Sequence, residues 1–451
     1  MMHALSPRLA AYCLLLLLFT SCSVQQHISA SAKEKILSAP ALKNAHVGIS
    51  IFEPATGRYW YNYQADKFFT PASNTKIFTC YAGMKYLGDS LEGMRYATDN
   101  NTLYLQPTGD PSLLHPDFKQ QPVIHFLQQQ TASKLYITND RWKDEALGAG
   151  WSWDDYNDDY MAERNSLPVY GNSIKFVQTQ TEEVAGELAG KPQVAIFTNP
   201  EINWKLNFSP DTGSAQLQVK RNYAENIFTI TEGKEKAKEI AVPFVTHGLS
   251  AALELLKDTL KKEVQLADKV WPQGLALKTI YSQPADSVFA PMMHRSDNFF
   301  AEQTLLMVAD KLMGQMNDAL IIDSLLKTDF KDLPQHPAWA DGSGLSRFNL
   351  FTPLDFIWVL NKMKTDFPWQ RIATIFPTGN TGTLTNYYVS DSGFIYAKTG
   401  TLSGVVAISG FLTTAKNKSL IFSVLVNNHA SSGRAVRRAV ESFIQSIRRN
   451  Y

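Results

Sequence analysis

Cysteine is nearly absent. The chain has three in 451 residues, Cys13, Cys22 and Cys80. The first two sit in or beside an apolar leader, so the body keeps Cys80 alone and no internal disulfide framework is possible. Cys80 falls in an apolar helical pattern and reads as a small core residue. Net charge is also nearly absent, with 43 Lys and Arg against 42 Asp and Glu, for a formal +1. That excludes the strongly basic face a nucleic-acid partner requires. The basic run Arg434, Arg437, Arg438, Arg448 and Arg449 reads as the solvated side of a C-terminal helix. CxxC, HExxH and His-Cys clusters are missing, so neither a metal site nor a cofactor is expected. A G-x-S-x-G elbow is missing too, and the nine histidines form no pattern around a serine. His294, near Ser296, reads as a helix-surface or cap residue. Repeats and low-complexity linkers are lacking. With 44% apolar residues, the chain has enough for a sizeable core and about two or three domains.

What is present begins with a targeting segment. Arg8 precedes an apolar run, Leu9 to Phe19. At about 1.5 Å per residue this is too short to span a bilayer of about 30 Å, but it has the length of a signal-peptide core. Phe19-Thr20-Ser21-Cys22 resembles the lipobox of bacterial lipoproteins, in which the cysteine is lipidated and becomes the first residue; Phe19 stands where leucine is usual. The alternative is an ordinary cleaved signal with Cys22 incidental. Either reading removes residues 1–21 and sends the protein to the periplasm or cell envelope, lipid-anchored at Cys22 in the first case.

Ser31 to Leu42 predicts a short helix. Val47 to Phe52 and Arg58 to Tyr63 predict a hairpin turning at Pro54-Ala55-Thr56-Gly57. A helix is expected from Ser73 to Leu87, stopped by Gly88. Residues 99–265 change texture: short alternating runs amid Asp, Asn, Gly and aromatics indicate a mostly-β inserted unit. Helices then follow at Ala251 to Lys262, Asp286 to Met293 and Phe299 to Met313. Strands are expected at Phe394 to Thr399, Val405 to Thr413 and Ser419 to Asn427. In the closing stretch Arg434 to Arg448, residues Val436, Val440, Phe443, Ile444 and Ile447 form one helix face. The two ends of the chain thus predict an α+β unit, an antiparallel sheet covered by helices, made of 22–98 and 266–451 and interrupted by 99–265.

Three short motifs occur in order: Ser73-Asn74-Thr75-Lys76, Ser296-Asp297-Asn298 and Lys398-Thr399-Gly400-Thr401. Ser-x-x-Lys alone is weak evidence, since Ser324 to Lys327 repeats it inside a helical run; the ordered set is strong. Ser73 and Lys76 lie one turn apart on one face. A serine hydroxyl needs a base within hydrogen-bond reach, and Lys76 serves as one if burial and a second cation such as Lys398 lower its pKa. Ser296 is placed to relay protons between Lys76 and a leaving amine. The Asn298 amide suits both Lys76 and a substrate carbonyl. Gly400 permits close backbone approach at a strand edge. The charge of Lys398 and the Thr399 and Thr401 hydroxyls suit a terminal carboxylate. Backbone N–H groups of Ser73 and Thr401 form the expected oxyanion hole.

With these motifs the chain resembles the class C penicillin-binding proteins, the D-alanyl-D-alanine carboxypeptidase/endopeptidase family. Three further stretches carry the resemblance: Thr108-Gly109-Asp110-Pro111-Ser112, Gly150-Trp151-Ser152-Trp153-Asp154-Asp155 and Asp341-Gly342-Ser343-Gly344-Leu345-Ser346-Arg347. The resemblance implies the penicillin-binding (serine β-lactamase-like) transpeptidase fold and an acyl-enzyme on Ser73. It implies peptidoglycan stem peptides and cross-links as substrates and β-lactam antibiotics as covalent inhibitors. It implies contacts to the stem-peptide side chain from Arg347 and Asp154, for which Asp155 serves equally. Trp151 and Trp153 read as well as packing residues of the insert.

Two other functions share these motifs. A class A β-lactamase needs a glutamate between the second and third motifs to activate water. Glu302, the sole glutamate between Asn298 and Lys398, sits on the helix following Asn298 instead. A non-catalytic penicillin-binding scaffold would be free to lose Ser73, Lys76 or Lys398, and all three are present.

Overall fold

The structure, a computed structural model, describes residues 25–99, 101–132, 134–181, 193–210, 213–267 and 276–451. The leader, Cys13 and Cys22 lie outside the described residues. Among the described residues no helix is long and apolar enough to cross a membrane.

The two ends of the chain build one antiparallel sheet. Its strands are β1 (His46–Glu53), β2 (Arg58–Tyr63), β14 (Ile395–Leu402), β15 (Val405–Thr413) and β16 (Ser419–Asn427), ordered β14-β15-β16-β1-β2. In β16, Ile421 and Leu425 point into one core, while Leu420, Phe422, Val424 and Val426 point into another. The period of two therefore serves two apolar layers, which is why β15 and β16 read as near-continuous apolar runs.

The first layer holds helices α1 (Lys76–Tyr86), α4 (Asp286–His294), α5 (Asn298–Met313), α6 (Asp318–Lys327), α7 (Pro353–Asp366) and α8 (Trp369–Ile375). The second holds α9 (Gly433–Asn450), whose Val436, Val440, Phe443, Ile444 and Ile447 are buried as the periodicity requires. Ser432 caps α9 by accepting from the Ala435 N–H.

The insert has its own core. Its main sheet runs β12-β5-β4-β3-β13, from β3 (Ser90–Asp99), β4 (Thr102–Pro107), β5 (Lys134–Ile137), β12 (Val264–Leu266) and β13 (Lys278–Pro284). Two three-stranded sheets accompany it. One is made of β6 (Ser173–Thr181), β7 (Gln193–Asn199) and β11 (Ala237–Pro243), the other of β8 (Lys205–Phe208), β9 (Gln218–Arg221) and β10 (Ile227–Thr231). Helices α2 (Pro122–Gln129) and α3 (Ser250–Leu260) pack on the same core. The chain enters and leaves this unit along paired strands, with Tyr96 opposite Lys278 and Ser90 opposite Pro284. The sheet thus reaches beyond the 99–265 read from texture, because a pairing across so long a separation leaves no local signal.

Candidate active site

Ser73 does not open α1 directly. A 3-10 turn, Ala72–Thr75, comes first, and α1 starts at Lys76. In a 3-10 turn, side chains three apart eclipse, which stacks Ser73 and Lys76 more closely than an α-turn would. Two glycines let other segments close on this turn. Gly344 has φ +81°, and a Cβ there would lie 2.0 Å from the Ala72 carbonyl oxygen. A Cβ at Gly400 would lie 2.6 Å from the Pro71 oxygen and 3.0 Å from the Ser73 nitrogen. Bare backbone at Gly400 lets β14, the sheet's edge strand, run beside the serine.

Lys76 is fully buried. Its Nζ donates to Ser73 Oγ (3.0 Å), Asn298 Oδ1 (2.6 Å) and the Ser343 carbonyl (2.7 Å). Burial pushes its pKa down to about 8, against the opposing pull of Asp341, Glu302 and Asp297. Asn298 is held in turn by donating Nδ2 to the Tyr160 carbonyl (3.0 Å). Asp297 caps α5 by accepting from the Phe300 N–H (3.0 Å), and Ser296 before it adopts the left-handed φ of 64°.

Lys398 is also fully buried. Its Nζ donates to Ser296 Oγ (2.8 Å) and to the Thr399 carbonyl (2.6 Å). Burial first, and then the charge of Lys76, hold its pKa well below the usual lysine range. Burial is thus the leading cause of the lowering at both lysines.

An open cavity of about 580 Å³ lies over these groups. Ser73, Ser296, Asn298, Arg347 and Thr401 are on its wall, with Gly150, Ser152, Asp155, Tyr160 and Ser403. Four sequence expectations shift. Lys398 lies behind the wall, and Ser296 is bonded to Lys398 instead of Lys76. Thr399 faces a small apolar cleft beside Leu384 and Val440. Asp155 replaces Asp154, which is exposed and off the wall. Both aspartates sit in the 3-10 turn Trp153–Asp155, where neighbouring side chains diverge by about 120°. Trp153 is 70% exposed and meets the insert edge-on at Tyr223, with 6.3 Å between ring centroids.

Behind the wall, buried Asp341 organises its loop. Oδ1 accepts from Gly344 N–H (2.8 Å) and Asn349 Nδ2 (2.7 Å), and Oδ2 from Ser346 N–H (2.7 Å) and Trp151 Nε1 (2.9 Å). Glu302 accepts from the Ser343 N–H (2.7 Å) and so helps fix the residue whose carbonyl holds Lys76. Burial pushes Glu302 up to about 7, with Asp341 raising it further and Arg164 opposing. Buried Arg164, from the insert, bonds Glu302 (3.2 Å), Asp318 (2.6 Å) and Asp144 (3.2 Å). Neither Arg164 nor Glu302 carried a motif signal for these roles. Among the described residues no cluster of His, Cys, Asp or Glu could hold a metal ion.

The chain is 28% identical over 441 residues to a D-alanyl-D-alanine carboxypeptidase of Actinomadura sp. (strain R39), covering 88% of this chain and 80% of the relative. It is 23% identical to the carboxypeptidase DacB of Haemophilus influenzae, covering 82% and 83%. The crystal structure of penicillin-binding protein 4 from Haemophilus influenzae superposes with a TM-score of 0.71 at 21% identity, over 93% of this chain and 98% of that one. The same protein has been solved with a β-lactam, with a TM-score of 0.67. The fold is accordingly that of the penicillin-binding proteins, an α+β body with an antiparallel sheet. The family model for D-Ala-D-Ala carboxypeptidase 3 (S13) matches residues 29–447, and the chain belongs to that family of serine peptidases.

Proposed function

We propose that this protein cleaves D-alanyl-D-alanine bonds of peptidoglycan stem peptides and cross-links through an acyl-enzyme on Ser73. One observation carries the reading: Lys76 Nζ, buried and lowered to about 8, lies 3.0 Å from Ser73 Oγ. A neutral Lys76 takes the hydroxyl proton as Ser73 Oγ attacks the carbonyl carbon of the penultimate D-Ala. The tetrahedral oxyanion faces the N–H groups of Ser73 and Thr401, each such donor lowering the barrier by roughly 3–4 kcal/mol. The proton held by Lys76 reaches the departing amine by way of Ser296 as the C–N bond breaks, leaving Lys76 neutral and Ser296 again a hydroxyl, oriented by its hydrogen bond from Lys398. Water then attacks the ester, neutral Lys76 takes its proton, and that proton passes to Ser73 Oγ as the ester C–O bond breaks, restoring the serine. A terminal D-Ala or the amine of a cross-link leaves by the same steps, which makes carboxypeptidase and endopeptidase one chemistry. β-Lactams acylate the same serine. Arg347 and Asp155 contact the stem-peptide side chain in this reading, which their place on the cavity wall supports.

Glu302 supports peptide cleavage over β-lactam hydrolysis. It is fully buried, bonded to Ser343 and Arg164, and absent from the cavity wall. The leader supports removal of residues 1–21, an envelope location and a lipid anchor on Cys22. The separate core of the insert supports its standing as a distinct domain.

Incubating the mature protein with a pentapeptide and a cross-linked muropeptide, with products read by mass, tests the reading. Loss of one D-Ala and opening of the cross-link are expected, and both vanish in Ser73→Ala. Full cleavage by that variant would overturn it.

A further inference from the structure

Resting on the reading above, we propose that Arg437 of α9 is a positioning residue for the substrate's terminal carboxylate, acting through Thr401. The need for such a residue arises from Lys398. Its side chain is fully buried, and its ammonium donates to Ser296 Oγ and the Thr399 carbonyl, so it presents no charge at the cavity surface. Thr401, in contrast, is exposed on the cavity wall. Its Oγ1 accepts a hydrogen bond of 3.1 Å from Arg437 Nη1.

A threonine hydroxyl has one proton and two lone pairs. With a lone pair turned toward Arg437, the proton is left to donate into the cavity, the polarity a carboxylate oxygen requires. The guanidinium, donating to Thr401 Oγ1, polarises that hydroxyl. Arg437 is fixed from the other side by Nε donating to the Tyr387 hydroxyl at 3.4 Å, and its guanidinium lies 5.8 Å from that ring. Among the described residues no carboxylate pairs with it, whereas its neighbour Arg438 is paired to Glu441. A half-buried arginine with a cavity hydroxyl in front and no internal anion matches an anion arriving from outside. Arg347, a cation on the cavity wall, donates to the Ser403 carbonyl at 3.1 Å and is the rival for this role.

The test pairs two peptides that end in D-Ala-D-Ala, one with a free carboxylate and one with a primary amide. Against wild type, Arg437→Ala is expected to lose about 10- to 100-fold in kcat/KM on the acid, mostly through KM, the range for one hydrogen bond to a charged group. The amide is expected to stay within about 3-fold, and Arg437→Lys to recover part of the loss. Equal losses on both peptides would mean a merely structural role and overturn the proposal. So would a wild type that does not distinguish acid from amide, or the same selectivity lost in Arg347→Ala instead. Arg437→Gln takes the place of any variant that fails to fold. Acylation by a penicillin and by its methyl ester gives a second reading of the same selectivity. If wild type cleaves neither peptide, the peptidase reading fails while the penicillin pair still decides on Arg437; if wild type is not acylated either, both fall.

Discussion

The chain contains Ser-x-x-Lys twice, and the two copies have opposite surroundings. At Ser73 the lysine is fully buried, and three acceptors from three segments converge on its Nζ. At Ser324 both residues lie within α6, and Lys327, with a side chain 71% exposed, pairs with Asp323 at 2.6 Å. Such a surface pair contributes about 0–1 kcal/mol and perturbs nothing nearby. Helical spacing gives proximity in both places. Reactivity requires desolvation of the amine, which the 296–298 turn and the 341–347 loop impose on Lys76 alone. The motif supplies the atoms, and the long-range packing supplies the chemistry.

The comparison can be broken first at the lysines. Lys76→Met is expected to slow acylation by a fluorescent penicillin about 10²- to 10⁴-fold, the usual worth of a positioned base. Next in size is the network behind Lys76. Arg164→Met leaves Asp144, Glu302 and Asp318 without their shared cation. A loss of about 3–5 kcal/mol is expected from urea unfolding, typical of breaking a buried pair. The pH profile gives a smaller effect. A depressed amine pKa means the neutral base accumulates earlier, so acylation should climb about tenfold per pH unit and level off above about pH 8 rather than near 10.5. The smallest effect sharpens the contrast: Lys327→Met should leave acylation unchanged and shift stability by less than about 0.5 kcal/mol.

Much of the catalytic body was legible because its signals are local. β15, β16 and α9 follow apolar periodicity, and the three motifs lie on the elements their residue types favour. What escaped depends on contacts between distant segments. Arg437 sits on the polar side of an amphipathic helix, so periodicity assigns it to solvent, and only the approach of β14 turns it into a partner of Thr401. Lys398 read as a cation for substrate because its motif does not reveal that Ser296 and its own strand absorb the ammonium. Asp154 and Asp155 differ by one position in a 3-10 turn whose phase sequence does not show. The strands β3 and β13 pair across the whole insert, beyond the reach of any window.

The central claim is that Ser73 is the nucleophile and that its surroundings, rather than its motif, make it so. Digestion of the protein after brief reaction with a penicillin, followed by peptide mass mapping, tests this directly. The account predicts one adduct of the drug's mass on the peptide containing Ser73 and an unmodified peptide containing Ser324. An adduct at Ser324, or acylation that persists in Ser73→Ala, would contradict it.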